Sequence, residues 1–393
     1  MIPFDFQPRT RIVFGADKID ELGRLAFDLG ARRALVVSDA GVIETGHTQR
    51  GLDALQDAGL DTAVFQDFRE NPTTEDVERG AELAVGWEPD LLVGLGGGSS
   101  LDCAKGINFV YSNGGRMQDY WGVDKAALPM LPMIAVPTTA GTGSETQSFA
   151  LISDAETHVK MACGDKKAAC RIALLDPQLT VTQPRRVTAL TGIDALAHTL
   201  ETQVTKPRNL ISQTFSREAW RLLAANFVAV LDDAENLEAR CGMQLGACFA
   251  GLAIENSMLG AAHALANPLT AAYNIVHGEA VALMLPHVIR FNGVTAAARY
   301  EELLRETAAM AGGPSGATGF AEAGFAGAGV EGLARFIERV REHAGLAGRL
   351  AECGVERDRL PKLAEEAAKQ WTGTFNPRDL TSADWLQLYE QAW

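Results

Sequence analysis

The 393-residue sequence has no C-x-x-C pair, no unbroken apolar run approaching the roughly 20 residues that span a bilayer, and fewer basic than acidic side chains. Each absence removes a class of function. Six scattered cysteines (Cys103, Cys163, Cys170, Cys241, Cys248 and Cys353), in a chain too large to need disulfide staples, are expected to be buried free thiols. With 35 Lys and Arg against 50 Asp and Glu, the formal charge of -15 repels a nucleic-acid backbone or an anionic membrane surface. The opening MIPFDFQPRTRIVFG lacks the basic stretch, apolar core and small-residue cleavage site of a secretory leader. The expectation is a cytoplasmic protein with neither nucleic acid nor membrane as partner.

The length and the 47% hydrophobic content are enough for two cores, because single cores stop growing below about 300 residues. In the first half, short apolar runs (RALVVSD, DTAVFQD, DLLVGLGGG, MIAVPTT) alternate with helical patterns, the signature of a parallel sheet covered by helices. Three more strand-like pieces, ALISD, HVKMACGD and ALLDP, extend or flank that sheet. From Pro184 the apolar spacing is three and four almost throughout, which predicts a helical second domain. The predicted boundaries are 1–183 for the α/β domain with its parallel sheet and 184–393 for the all-α domain. The stretch 311–329 (AGGPSGATGFAEAGFAGAG) reads as a flexible connection.

In DLLVGLGGGSSLDCAKG a glycine cluster follows a strand and precedes a helix whose N-cap is expected at Ser99 or Ser100. Glycines let a backbone approach a pyrophosphate, and a helix N-terminus attracts its charge. Ser99 replaces the third glycine of the strict dinucleotide fingerprint, so a tight turn without ligand remains the alternative. VPTTAGTGSET again follows a strand and offers the hydroxyls of Thr138, Thr139, Thr142 and Ser144, and two such loops suggest one crevice. Asp39, at the tip of RALVVSD, either reads a ribose diol or caps the next helix.

Only seven histidines occur, and three accompany one acid. In TGIDALAHTLET, Asp194 and His198 are four apart and leave the same helix face. GAAHALANPLTAAYNIVHGEA then adds His263 and His277. One carboxylate and three imidazoles suit iron, zinc, cobalt or nickel rather than calcium or magnesium, which take oxygen shells. Each histidine alone is equally a core residue or a cap; their shared apolar surroundings argue that they converge. His47, His158, His287 and His343 lack this company and read as surface or structural residues, with His287 a candidate partner behind a metal ligand.

TRIVFG, GGGSSLDCAKG, VPTTAGTGSE, LLDPQLTVTQP, GIDALAHTLE, GAAHALANPL, HGEAVALMLPHVIRFN and the late NPR at 376–378 together resemble the iron-activated, or group III, alcohol dehydrogenases, related to glycerol dehydrogenase and dehydroquinate synthase. The resemblance implies an N-terminal dinucleotide-binding domain, a helical metal-binding domain and an active-site cleft between them. It implies iron, as Fe2+, on Asp194, His198, His263 and His277, with Zn2+ or another divalent ion as the alternative. It places NAD on Gly97, Gly98, Ser99, Thr138, Thr139, Thr142 and Lys160, with Asp39 on the adenosine ribose. A homodimer or larger assembly and a small alcohol or aldehyde substrate follow from the same likeness. Two positions depart from it: Asn267 stands where many members carry a histidine involved in proton or nicotinamide handling, and Ile254 replaces a pocket aromatic. Phe149, Ile254, Trp371 and Phe375 either line an apolar pocket or are plain core. Related activities on the scaffold include polyol oxidation and hydroxyacid-oxoacid transhydrogenation, and a non-catalytic NAD- and metal-binding protein is the reading from another class.

Overall fold

In the computed structural model the described residues are 2–310 and 329–393, so the glycine- and alanine-rich stretch expected to be a flexible connection lies outside them but for Gly329. They fall into two compact units, Gln7–Gln183 and Pro184–Trp393, the latter with the residues that precede Gln7.

The first unit runs β1 (Arg11–Phe14), α1 (Leu22–Asp28), β2 (Arg33–Val37), α2 (Ala40–Glu44), α3 (His47–Asp57), β3 (Asp61–Phe65), α4 (Thr74–Trp87), β4 (Leu91–Gly96), α5 (Gly98–Asn113), β5 (Gly122–Val123), β6 (Met133–Pro137), β7 (Phe149–Ser153), β8 (Lys160–Gly164) and β9 (Ile172–Leu175). Six strands form one all-parallel sheet in the order β1-β9-β6-β4-β2-β3. The runs ALVV in β2 and LLVGLG in β4 are apolar on both faces because helices cover both. One layer packs Leu22, Leu25, Val36, Leu95, Ile134 and Leu174; the other packs Leu35, Leu92, Leu101, Ile107 and Met133.

The three strand-like pieces near 150–177 separate by their burial. β9 is buried along its whole length and enters the main sheet between β1 and β6, whereas β7 alternates buried and exposed residues and pairs antiparallel with β8 in a second, three-stranded sheet with β5. β1, the RIVF of TRIVFG, is an edge strand that the sequence pattern did not announce. None of the six cysteines forms a disulfide, as expected, but Cys241 and Cys353 are only half-buried.

The second unit is helical: α6 (Arg185–Thr202), α7 (Leu210–Asp232), α8 (Leu237–Ser257), α9 (Ala261–Tyr273), α10 (His277–Met310), α11 (Val330–His343), α12 (Leu360–Ala367) and α13 (Ser382–Ala392). From Thr188 to Thr202 nearly every α6 residue is buried, so it is the central helix of the unit and cannot show an amphipathic stripe. α10 is long and apolar enough by composition to cross a bilayer, a property hidden from a search for unbroken apolar runs, and most of its apolar stretch is buried inside the unit. Pro268 interrupts the hydrogen-bond ladder of α9, and the Tyr389 hydroxyl from α13 donates to the Leu265 carbonyl at 2.6 Å in the turn before it.

α10 begins against α6 at glycine distance. A Cβ on Gly278 would lie 2.2 Å from the Leu190 carbonyl oxygen, which is backbone and cannot swing away. Gly278→Ala is therefore expected to cost on the order of 1–3 kcal/mol and to lower the thermal midpoint by roughly 2–10 °C. An unchanged midpoint in a melting experiment would show that the two helices separate at no cost.

Candidate active site

Asp194, His198 and Glu201 stand on one face of α6 at spacings of four and three, while His263 lies in the first turn of α9 and His277 opens α10. Asp194 Oδ1 is 3.5 Å from His198 Nε2, 3.3 Å from His263 Nε2 and 3.8 Å from His277 Nε2. Four ligands about 2.1 Å from one ion in a tetrahedral array stand about 3.4 Å apart, so these separations are those of a coordination shell. The candidate ligand atoms of Asp194, His263 and His277 all lie within 4.8 Å of one another, whereas His198 is placed by its distance to Asp194 and is not part of that mutually close group. Asp194 Oδ1 and His263 Nε2 are buried and face each other without the alignment of a hydrogen bond, which leaves both aimed at the common centre. A divalent transition ion fits this donor set. His277 is the accessible member, its side chain about a quarter exposed against a few per cent for the others.

The electrostatics depend on a residue that spacing alone did not select. Glu201 Oε2 is 2.5 Å from His263 Nδ1, and its Oε1 accepts from the Ala262 backbone N–H at 2.7 Å. A carboxylate behind an imidazole fixes its tautomer and ring plane and raises its basicity. Burial opposes a charge on His263, but Glu201 and Asp194 outweigh it and push its pKa up to about 10. Burial likewise opposes the Asp194 carboxylate, yet His198, His263 and His277 hold it well below the usual range. Glu201 was legible in GIDALAHTLE by extending the helical face one step past His198.

The other histidines take separate places. His47 bonds Thr182, His343 bonds Asp232, and His158 sits in a turn at φ 59°. His287, the candidate outer partner, instead lines a cavity of about 560 Å3 with Arg290, Arg378 and Asp384. Burial first, then Arg290 and Arg341, lower its pKa to about 4, so it is neutral there.

In the α/β unit the expected cofactor residues gather at the C-terminal ends of adjacent strands. Val37 lies opposite Gly94 and Gly96 opposite Pro137, which aligns the ends of β2, β4 and β6. The connections run outward from β2 to β3 and then back past β2 to β4, so the strand order reverses here, as at a ligand-binding switch point. Gly96 has φ +151°, and the N-cap of α5 is Gly97, not Ser99 or Ser100. Glycine lets the helix start early and leaves its first turn without a side-chain cap. A Cβ on Gly98 would meet the Thr142 side chain at 2.6 Å and one on Gly97 would meet Thr139 at 3.2 Å, so the two glycine loops pack side by side. The Thr138 N–H donates to the Gly96 carbonyl at 2.9 Å.

Asp39 does cap α2, accepting from Val42 N at 3.1 Å, and its other oxygen accepts from Ser100 Oγ at 2.9 Å. Lys160 reaches this region through Asn71: its Nζ donates to Asn71 Oδ1 at 3.4 Å, and Asn71 N donates to Ser99 Oγ at 3.1 Å. Lys105, in the motif but not singled out, is fully buried and donates to Ser144 O, Ser144 Oγ, Gln147 O and Phe149 O at 2.6–2.9 Å, pinning the second loop to α5. Of the pocket candidates, Phe149 belongs to this unit; in the helical unit Ile254 is buried, and Trp371 packs edge-on against Phe375 at 5.4 Å. Asn267, half-exposed and one turn beyond His263, donates from Nδ2 to Gln370 Oε1 at 3.0 Å.

The second loop also carries an acid with a measurable consequence. Glu145 is 3% exposed, and burial pushes its carboxyl up to about 7, with its own backbone N–H and Lys105 only partly opposing. The fold thus favours the protonated form, and the stability this contributes is lost as pH rises from the unfolded value of about 4.3 through 7. Thermal midpoints at pH 5 and pH 8 should therefore fall further in the wild type than in Glu145→Gln, which stays neutral throughout. Parallel losses in both proteins would show that Glu145 is solvated.

The chain is similar to the NAD-dependent methanol dehydrogenase of Bacillus methanolicus, 33% identical over 380 residues that cover 97% of both chains. It is similar to the 1,3-propanediol dehydrogenase of Citrobacter freundii, 31% identical over 400 residues covering 99% of this chain and 98% of the relative. Its structure superposes on a solved 1,3-propanediol oxidoreductase with a TM-score of 0.90, 31% identity and 100% coverage of each chain. Residues 8–177 match the family described as iron-containing alcohol dehydrogenase, and residues 188–393 match the C-terminal part described as Fe-containing alcohol dehydrogenase family. A buried carboxylate met by three imidazoles, glycine loops at the strand ends of a parallel sheet and likeness along both halves lead to one assignment: the chain belongs to the iron-containing alcohol dehydrogenase family.

Proposed function

We propose that the protein is an NAD-dependent, metal-containing dehydrogenase that interconverts a small primary alcohol and its aldehyde. The observation that carries this reading is the placement of three imidazole nitrogens 3.3–3.8 Å from one buried carboxylate oxygen. Asp194, His198, His263 and His277 would hold the ion, Fe2+ by family and Zn2+ or another divalent transition ion by donor chemistry. When bound, that ion supplies a Lewis acid for the substrate oxygen, and NAD supplies the hydride acceptor.

The chain's own residues do the rest. Glu201 holds the His263 ring, and the partly exposed His277 leaves that side of the shell open to a small molecule. Gly97, Gly98 and Ser99 would take the pyrophosphate on the uncapped start of α5, with Thr138, Thr139, Thr142 and Lys160 beside it. Asp39 would accept from the adenosine ribose in addition to its capping role, which favours NAD over a 2′-phosphorylated cofactor. The methanol and propanediol relatives support a small, unbranched alcohol or diol as substrate. Cytoplasmic location and a homodimer or larger assembly belong to the proposal on the family likeness alone.

The full-length protein loaded with Fe2+ or Zn2+ should generate NADH from a panel of primary alcohols and diols. His277→Ala should lose bound metal and turnover together, because one ligand of four is gone. Absence of turnover on every alcohol and aldehyde by the metal-loaded wild type, or full activity in metal-free His277→Ala, would overturn the reading.

Asn267 has a separate consequence, since an amide neither takes nor gives a proton near neutral pH. The alcohol proton then leaves through water, a ribose hydroxyl or another side chain, and oxidation should accelerate toward alkaline pH. Asn267→His should add an inflection near the ordinary histidine value of about 6.5 to the pH profile of alcohol oxidation. Superimposable profiles of the two proteins would mean that this position only shapes the pocket.

A further inference from the structure

The late NPR motif lies far from the metal ligands in sequence, yet its asparagine ends beside them. α9 starts at Gly260, which has no side chain to cap the helix, and the first-turn donors of Ala261 and Ala262 are fully buried. Such donors need acceptors brought from elsewhere. Ala262 N donates to Glu201 Oε1 at 2.7 Å, and Ala261 N donates to Asn376 Oδ1 at 3.3 Å across 115 residues of sequence. Both acceptors crowd the helix start: a Cβ on Gly260 would lie 3.1 Å from Glu201 Oε1 and 3.2 Å from Asn376 Oδ1.

Asn376 is itself held on every side. It exchanges two hydrogen bonds with Asn292 of α10, donating from Nδ2 at 2.7 Å and accepting at Oδ1 at 3.0 Å, and its Nδ2 also donates to the Arg378 carbonyl at 2.7 Å. Both asparagines are 1% exposed, and the Tyr300 hydroxyl bonds Asn292 from the same helix. Arg378 lies 3.9 Å over the Phe291 ring and donates to the Phe291 carbonyl, so the motif grips α10 at two successive residues. A buried amide network with its groups satisfied has one arrangement and resists displacement.

We propose that Asn376 is a positioning residue for the metal centre: braced on Asn292, it fixes the first turn of α9 and thereby the approach of His263 Nε2 to the ion. The inference rests on the proposed metal site and adds to it a residue that touches neither the ion nor any of its ligands. Glu201 sets the ring through Nδ1, but the ring's origin is the backbone of residue 263, two residues after the N–H that Asn376 holds. A ligand atom must stay within about 0.2 Å of its place for a closed shell, so freedom in that turn appears directly as metal loss.

Two variants separate this role from a structural one. Asn376→Ala and Asn292→Ala both destroy the reciprocal amide pair and should lower the thermal midpoint by similar amounts. Only Asn376→Ala removes the acceptor from Ala261. Full-length proteins loaded with Zn2+ are mixed with a chromogenic chelator and the dissociation rate is followed. Asn376→Ala is expected to release Zn2+ roughly 10- to 100-fold faster than wild type, the range seen when a residue supporting a ligand is removed, and Asn292→Ala only about threefold faster or less. If Asn376→Ala does not fold, Asn376→Ser, which is too short to serve both helices, should show an intermediate release rate. Equal rates for Asn376→Ala and Asn292→Ala, or a wild-type rate in the folded position-376 variant, would overturn the proposal while leaving the metal site intact. A wild type that takes up no Zn2+ would instead remove the metal site itself.

Discussion

A carboxylate oxygen placed where water barely reaches it is costly unless positive charge or a hydrogen-bond donor meets it, and Asp194 Oδ1 is such an oxygen. Much of the helical unit can be understood as the answer to that cost. Three imidazoles approach the oxygen from α6, α9 and α10, so the three helices must meet at one depth and one angle. Gly278 permits α10 to touch the α6 backbone, and Gly260 permits the α9 start to touch Glu201 and Asn376. Asp194 and Glu201 raise the pKa of His263 against its burial, and the three imidazoles lower that of Asp194, so the buried charges of the site offset one another.

The α/β unit follows a different rule, in which glycines create access and buried polar groups keep it open. Gly96, Gly97 and Gly98 let the backbone at the start of α5 pass where a Cβ would meet Ser100, Thr139 and Thr142. Between β6 and β7 the chain forms only a single 3-10 turn, Ser144–Thr146, and the ammonium of Lys105 braces it by collecting the Ser144 and Gln147 carbonyls together with that of Phe149 at the start of β7. A lysine with 0% exposure is tolerable because every proton has an acceptor. Asp39 serves the same end, tying the tip of β2 to the start of α5 through Ser100.

What could be read in the sequence was what depends on local periodicity. Continuous apolar runs separated by helical patterns announce a parallel sheet, and Asp194 with His198 announce a shared face. Which of the strand pieces after residue 149 join the main sheet depends on partners distant in sequence, so β9 and the β7–β8 pair could be told apart only by burial on one face or two. The N-cap of α5 is Gly97 rather than the expected serine: a serine is the better cap in isolation, whereas the observed start at Gly98 leaves the helix end open. Glu201 was within reach of the helical spacing. Asn376 was not: its value comes from a helix start 115 residues away whose own cap is a glycine.

X-ray absorption at the edge of the bound metal, on the full-length protein loaded with Fe2+ or Zn2+, tests the central claim most directly. The account predicts a shell of nitrogen and oxygen donors at about 2.0–2.2 Å, with the outer-ring scattering of three imidazoles and no sulfur. A sulfur contribution near 2.3 Å, or scattering from fewer than three imidazoles, would contradict a centre built on Asp194, His198, His263 and His277.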